Sequence, residues 1–171
     1  MRRVVVAGIT GAGKSTLARE LATYLPLPFV ELDQFVEGPH WSRLPDVEQH
    51  VTEMAAAEAW VTDNLWYPEV QGPLLARADT VVWLDLSRAV VLRRLVRRTL
   101  RRGLPPRPEL VNGNRERLWA VVLPSSPLRT AWREHAAHRA RLEELLAGLD
   151  LAVIRLRSPE DVETWREKYR R

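Results

Sequence analysis

Residues 4–16 read V-V-V-A-G-I-T-G-A-G-K-S-T, an apolar run that breaks into glycines, one lysine and two hydroxyl residues. Val4, Val5 and Val6 suit a buried parallel strand, and Leu17, Ala18, Leu21, Ala22 and Leu25 then recur at helical spacing until Pro26. Gly8–Ser15, set between that strand and that helix, match the phosphate-binding loop pattern. The chemistry explains the residue types: glycines let backbone N–H groups converge on phosphate oxygens, a lysine reaches the β- and γ-phosphates, and a hydroxyl ligates Mg²⁺. Gly11, Ala12, Gly13, Lys14, Ser15 and Thr16 are therefore the expected nucleotide-binding residues, with Lys14 also acting in transfer and Ser15 on the metal. The helix that begins there adds the positive end of its dipole. Of the 26 basic residues only Lys14 and Lys168 are lysines, and one of the two stands where this loop needs it.

The chain has 171 residues, 46% of them apolar, which fits one compact domain over 1–171 with a sizeable core. It has no cysteine, which excludes disulfides, thiolate metal sites and cysteine nucleophiles. No apolar run approaches the roughly 20 residues needed to span a bilayer, and the apolar run near Met1 reads as the first strand rather than a signal peptide. A cytoplasmic protein without a membrane partner is expected.

The net charge of +4 hides a division along the chain. Residues 1–19 carry +4, residues 20–76 set one arginine against ten acids, and residues 77–171 carry +9. Arg88–Arg107 hold eight arginines and no acid, which beside a nucleotide site reads as a phosphate-clamping element.

Elements alternate after the first helix. Phe29–Leu32 reads as a strand, Pro39–Pro45 as a loop with Trp41, and Asp46–Ala59 as a helix with Val47, Val51, Met54, Ala55 and Ala59 near one face. Trp60–Thr62 predict a strand ending at Asp63, Thr80–Leu84 one ending at Asp85, and Leu151–Leu156 a last one. Residues 88–101 read as a helix, Gly103–Gly113 as a Pro-rich connection, and Pro127–Leu146 as a helix stopped by Gly148. The final helix has Ser158 as N-cap, Pro159 at its first position and Asp161 three residues after the cap. Five strands alternating with helices imply an α/β fold of three layers, a parallel sheet between helices.

Ligands in such sheets bind beyond the carboxyl ends of the strands, which singles out Asp33, Asp63 and Asp85. A phosphate-binding loop needs a second acid to hold magnesium through water, and both Asp63 and Asp85 qualify by position. Asp33 can orient a substrate hydroxyl or touch the metal. Trp41, Trp66 and Tyr67 can stack on a base or wall the acceptor pocket, Trp60 and Trp83 read as core, and Trp119, Trp132 and Trp165 as helix packing residues. His135 and His138 stand three apart on a helix, but no further ligand is recognisably arranged around them.

The chain resembles the small P-loop kinases of the adenylate kinase and shikimate kinase type, and more closely the bacterial P-loop proteins named adenylate kinase or DNA topology modulation protein. The likeness covers nearly the whole chain: G-I-T-G-A-G-K-S-T at 8–16, E-L-D at 31–33, the Trp41 loop, W-V-T-D at 60–63, R-A-D-T-V-V-W-L-D at 77–85, the arginine helix, and N-G-N-R-E at 112–116. It implies a P-loop NTPase fold with strand order 2-3-1-4-5, an arginine-rich lid at about 98–117 that closes over ATP, and ATP with Mg²⁺ as cofactors. It favours Asp63 as the magnesium-linked acid, since these kinases commonly carry Asp-Gly after the third strand; here Asn64 replaces the glycine. Asp85 then becomes a structural residue capping the helix near Ser87. The arginine helix corresponds to the lid entrance, where arginines stack on adenine and neutralise the transferred phosphoryl group. Arg94, Arg98 and Arg101, on one side at helical spacing, and Arg115 on the returning arm are the residues expected to do so.

A nucleoside monophosphate kinase clamps its acceptor's phosphate with arginines between the first helix and the third strand, where this chain has Arg43 alone. Either Arg43 and the lid arginines together hold a phosphate, or the acceptor is not one. An acidic surround suits a hydroxylated or amine-bearing molecule, with Asp33 accepting the hydroxyl proton and Trp41, Arg43 and Asn64 as further substrate contacts. The expectation is an ATP-dependent kinase of a small molecule, a monomer or homodimer with no nucleic-acid partner. The alternative is a nucleic-acid-associated or regulatory P-loop ATPase, which the basic second half and the likeness to topology modulation proteins support.

Overall fold

The computed structural model describes residues 1–103, 110–114 and 126–170. Five parallel strands, β1 (Arg3–Gly8), β2 (Phe29–Val30), β3 (Trp60–Asp63), β4 (Thr80–Leu84) and β5 (Ala152–Leu156), form one sheet in the order β2-β3-β1-β4-β5. The fold is the α/β P-loop kinase architecture implied by the sequence. Between the strands lie α1 (Lys14–Tyr24), α2 (Asp33–Val36), α3 (Val47–Ala55), α4 (Pro68–Leu75), α5 (Arg88–Gly103) and α6 (Pro127–Leu146), and α7 (Pro159–Glu167) closes the chain.

The central strand β1 pairs on both sides, Val5 opposite Thr62 of β3 and Val81 of β4. Its side chains alternate between the faces as the pleat requires. Val4 and Val6 enter a core with Leu17, Leu21, Val82, Leu95 and Trp165, whereas Val5 and Ala7 enter another with Val51, Trp60, Leu74, Val81 and Trp83. These two cores make the sheet the middle of three layers, and the ends of β1, β3 and β4 meet at the same edge, where α1 begins.

Several boundaries depart from expectation for identifiable reasons. The second strand stops at Val30 because the Leu32 N–H donates to the Asp63 carboxylate at 3.2 Å instead of to a ladder, and the chain turns into the short α2. The helix expected to reach Ala59 ends at Ala55, whose carbonyl accepts the Trp60 indole N–H at 3.3 Å. Helix α4 was not expected: Pro68, Gly72 and Pro73 obscure its pattern, although Val70 and Leu74 are buried one turn apart. At the last helix Ser158 and Asp161 form the anticipated reciprocal cap. Trp60 and Trp83 are core residues, but Trp132 is 59% exposed, with the Arg88 guanidinium over its ring, rather than packed. Arg115 and Trp119 lie outside the described residues. Among the described residues no helix is long and apolar enough to cross a membrane.

Candidate active site

The loop between β1 and α1 is shaped by three glycines with positive φ, Gly8 at 142°, Gly11 at 82° and Gly13 at 101°. Side chains rarely adopt such angles, and at Gly11 space forbids one as well, since a Cβ would overlap Leu95 of α5. Arg94, one residue earlier, donates to the Ala12 carbonyl at 2.5 Å, so α5 braces the loop from outside. Lys14 is half-buried beneath it and reaches the Ile9 carbonyl at 3.4 Å. Burial lowers the Lys14 pKa, against the opposing pull of Asp63 and Asp33.

Opposite stands Asp63, the last residue of β3 and only 2% exposed. Its carboxylate accepts hydrogen bonds from the Ser15 hydroxyl and the Leu32 N–H. Of the two strand-end acids, Asp63 is the one in contact with the phosphate loop. Asp85 is turned away from the loop, paired with Arg155 at 2.9 Å and Arg139 at 3.0 Å, and it does not cap the helix near Ser87. There the Ser87 hydroxyl accepts the Val90 N–H at 3.5 Å.

Asn64 occupies the left-handed region, with φ of 84°. Asparagine is among the few residues that tolerate it, and here its own side chain holds the turn: Oδ1 accepts the Trp66 N–H at 2.8 Å and Nδ2 donates to Asp33 at 3.1 Å. Asp33, at the start of α2, is thereby aimed at the loop. Burial, then the neighbouring Asp63 carboxylate, raises its pKa.

One helical turn beyond Asp33 lies Glu37, which the sequence reading passed over although a four-residue spacing places the two on one face. Glu37 accepts the Tyr67 hydroxyl at 3.0 Å, and burial followed by the Asp33 charge raises its pKa. Burial and the same two carboxylates raise the Tyr67 phenol pKa also. Trp66 stacks on His138 of α6 with ring centroids 5.1 Å apart and planes 14° apart. Burial, with Lys14 nearby, pushes the His138 pKa down to about 4, so the ring is neutral near pH 7. His135 contacts the Leu86 carbonyl through Nε2 at 2.9 Å.

Lys14, Ser15, Asp33, Glu37, Asp63, Asn64, Trp66 and Tyr67 line one cleft of about 1040 Å³. The loop residues Gly11 to Thr16 form its floor, Arg94, Arg97, Arg98, Arg101 and Arg102 of α5 one wall, and Asp33, Glu37, Asn64, Trp66 and Tyr67 the far end. Two expected substrate residues lie outside that lining. Arg43 is held by Glu69 at 2.5 Å with its guanidinium 4.5 Å from the Tyr67 ring centre, and Trp41 is 51% exposed. The Trp41 loop is instead clasped by the turn at 110–114. Asn114 accepts the Trp41 N–H at 3.1 Å and donates to the Gly38 carbonyl at 3.0 Å, and Asn112 donates to the Glu37 carbonyl at 2.5 Å.

Comparison with known proteins agrees with this geometry. Residues 10–56 match the family model described as shikimate kinase. The chain is 30% identical over 111 residues to the shikimate kinase of Sulfurihydrogenibium sp., a match covering 56% of this chain and 67% of that protein. The chain belongs to the shikimate kinase family. A second relative, a shikimate kinase of Thermus thermophilus, is 40% identical over 52 residues, which span 30% of this chain and 28% of that protein, so this match takes in under a third of the relative's length. The fold is shared with a crystal structure of shikimate kinase from Acinetobacter baumannii in complex with shikimate, at a TM-score of 0.59 and 19% identity over 98% of this chain and 90% of that one. The family thus supports a small P-loop kinase and corrects the closer likeness drawn to the proteins named adenylate kinase or DNA topology modulation protein, including an adenylate kinase-like activity, which these matches do not support.

Proposed function

We propose that the protein transfers the γ-phosphoryl group of ATP to a hydroxyl of a small molecule, as one kinase domain over 1–171 whose lid is the region at about 98–117. The observation that carries this reading is that Lys14, Ser15, Asp63 and Asp33 line one cleft that the arginines of α5 also line. Membership in the shikimate kinase family supports the reaction class, and its relatives' names point to hydroxylated acceptors.

The donor set fits Mg²⁺: a hydroxyl and a carboxylate, both oxygen, converge beside the phosphate loop. Ser15 and Asp63 would hold the ion, which when bound would supply positive charge against the phosphates. Lys14 places a fixed positive charge on the β- and γ-phosphates from beneath the loop. Asp33 accepts the proton of the acceptor hydroxyl as its oxygen attacks. Its raised pKa brings it nearer the working pH, which favours a general base, and Asn64 holds it in position. Arg98 and Arg101 spread the charge developing on the transferred group, with Arg115 completing the set. Arg94 acts through the loop, which it braces at Ala12, as well as through charge.

The gathering of α5 arginines around the same mouth as the phosphate loop favours a kinase over a nucleic-acid-dependent ATPase, which would spread its cations along a stripe. Phosphorus NMR of ATP, Mg²⁺ and a metabolite mixture tests the reading. A new phosphate ester is expected, absent with Lys14→Ala; ATP hydrolysis stimulated by DNA with no ester formed would refute it.

A further inference from the structure

We propose that His138 is a positioning residue for the acceptor: its ring holds the Trp66 indole in place as a wall of the cleft, so that acceptor affinity depends on a side chain the acceptor never touches. This rests on the kinase reading above, which seats the acceptor beside Asp33.

Trp66 lines the cleft together with Asp33, whereas His138 does not line it. Any influence of His138 on a bound acceptor therefore passes through the indole. The two ring centroids lie 5.1 Å apart and the planes 14° apart, within the range of an offset stack. One face of the indole is thus occupied, and the rest of it is what the cleft presents.

The indole is fixed at both ends. The Trp66 N–H donates to Asn64 Oδ1 at 2.8 Å, and the same Asn64 donates through Nδ2 to Asp33 at 3.1 Å, so wall and proton acceptor share one anchor. That anchor governs only the backbone, and the side-chain torsions of a tryptophan remain to be set. The stack sets them. His138 is able to do so because α6 is itself held across the carboxyl end of β4: His135 Nε2 contacts the Leu86 carbonyl at 2.9 Å, Arg139 pairs with Asp85 at 3.0 Å, and Ala131 and Leu142 are buried in opposite cores. Trp66 hence rests on a 20-residue helix rather than only on the short turn that carries it.

The residue type fits the task. A permanent cation at 138 would stand near Lys14 and disturb the charge set against the phosphates, whereas burial, with Lys14 opposing a further proton, keeps the histidine neutral. An aliphatic side chain would fill the space and leave the indole plane undefined.

The magnitude follows from preorganisation. An indole ordered before the acceptor arrives spares binding the cost of ordering it. A stack of this kind is worth about two- to tenfold in an equilibrium constant, which bounds what its loss transfers to acceptor affinity. The phosphate loop and Asp33 keep their own hydrogen bonds, so the loss falls on the acceptor rather than on the nucleotide or the chemical step.

The test is steady-state kinetics of the full chain with MgATP and three polyhydroxylated probes, shikimate, D-gluconate and D-glucose. For each probe the parent phosphorylates, His138→Leu, which keeps bulk but not a flat ring, should raise KM about two- to tenfold. The kcat and the KM for MgATP should stay within about twofold of the parent. His138→Phe, which restores the ring, should return the probe's KM to within about twofold. In a Trp66→Ala background His138→Leu should have no further effect on that KM, because the part it acts through is gone. His138→Gln takes the place of the leucine variant should that one fail to fold. A KM unmoved by removing the ring, a KM for MgATP raised as much as that for the probe, a phenylalanine variant as impaired as the leucine one, or an effect that persists without Trp66 would each overturn the proposal. So would a parent that phosphorylates none of the three probes. The kinase reading fails on a different result, a metabolite mixture with MgATP that yields no ester at all.

Discussion

Replacing Asn64 separates its two contributions, a left-handed backbone and a side chain that holds Asp33. Glycine at 64 keeps the backbone angle but loses both hydrogen bonds. At about 1 kcal/mol for the bond to the Trp66 N–H and about 1.5–3 kcal/mol for the one to the Asp33 carboxylate, the loss is about 2.5–4 kcal/mol. Alanine loses the same bonds and must also bear the left-handed conformation, about 1–2 kcal/mol more. With roughly 2–4 °C per kcal/mol for a chain of this size, Asn64→Ala should melt about 2–8 °C below Asn64→Gly, which itself melts below the parent. Differential scanning calorimetry at one pH measures both steps. The catalytic signature is independent: the Asn64 amide lowers the Asp33 pKa, so without it that pKa rises further. The acidic limb of the kcat/KM profile should therefore move to higher pH in Asn64→Gly. Equal melting of the two variants, or an acidic limb that stays in place, would refute the reasoning about this residue.

Asp63→Asn should lower the magnesium-dependent rate at least about a hundredfold, an effect of the size found for removing one electrostatic stabiliser of a transition state. Asp85→Asn should leave that rate within a few-fold while costing about 1–3 kcal/mol of stability, because Arg139 and Arg155 lose their shared partner but retain access to solvent; steady-state kinetics over a magnesium titration and urea melts distinguish the two, and equal rate losses would contradict the assignment. The His138 pKa is about 4 in the folded state against about 6.5 unfolded, so the folded chain binds fewer protons there, and this contribution to stability is present above about pH 6.5 and is lost as pH falls toward 4. His138→Phe should flatten that part of the stability profile while keeping a ring against Trp66, as urea melts at pH 4.5 and 7 would report.

The parts of the site legible in the sequence are those whose chemistry is local. Gly8–Ser15 announced both a strand and a helix, because loop, strand end and helix start are one covalent stretch, and the Ser158–Asp161 cap lies within four residues. What escaped was set by partners far along the chain. Arg43 stood out as a lone cation, yet Glu69, distant in sequence, holds it. Asp63 and Asp85 looked alike as strand ends, and only the neighbours Ser15 on one side and Arg139 and Arg155 on the other separate them. Glu37 carried a signal that could have been used, its four-residue spacing from Asp33, but its meaning came from Tyr67. Trp132 read as packing because a tryptophan on a helix usually packs; no residue pattern foretold that its face would point outward.

The clasp of Asn112 and Asn114 on the Glu37–Trp41 loop joins chain on the far side of the arginine segment to the Glu37 end of the cleft. Three hydrogen bonds at about 1 kcal/mol each set a ceiling of about 3 kcal/mol, or roughly 150-fold, on the communication this joint can carry. Because such communication is reciprocal for binding, occupancy of the nucleotide end and occupancy of the acceptor end would each tune the other's affinity by one common factor. Two asparagines outside the cleft lining would thus share in setting how firmly either ligand is held while the other is bound.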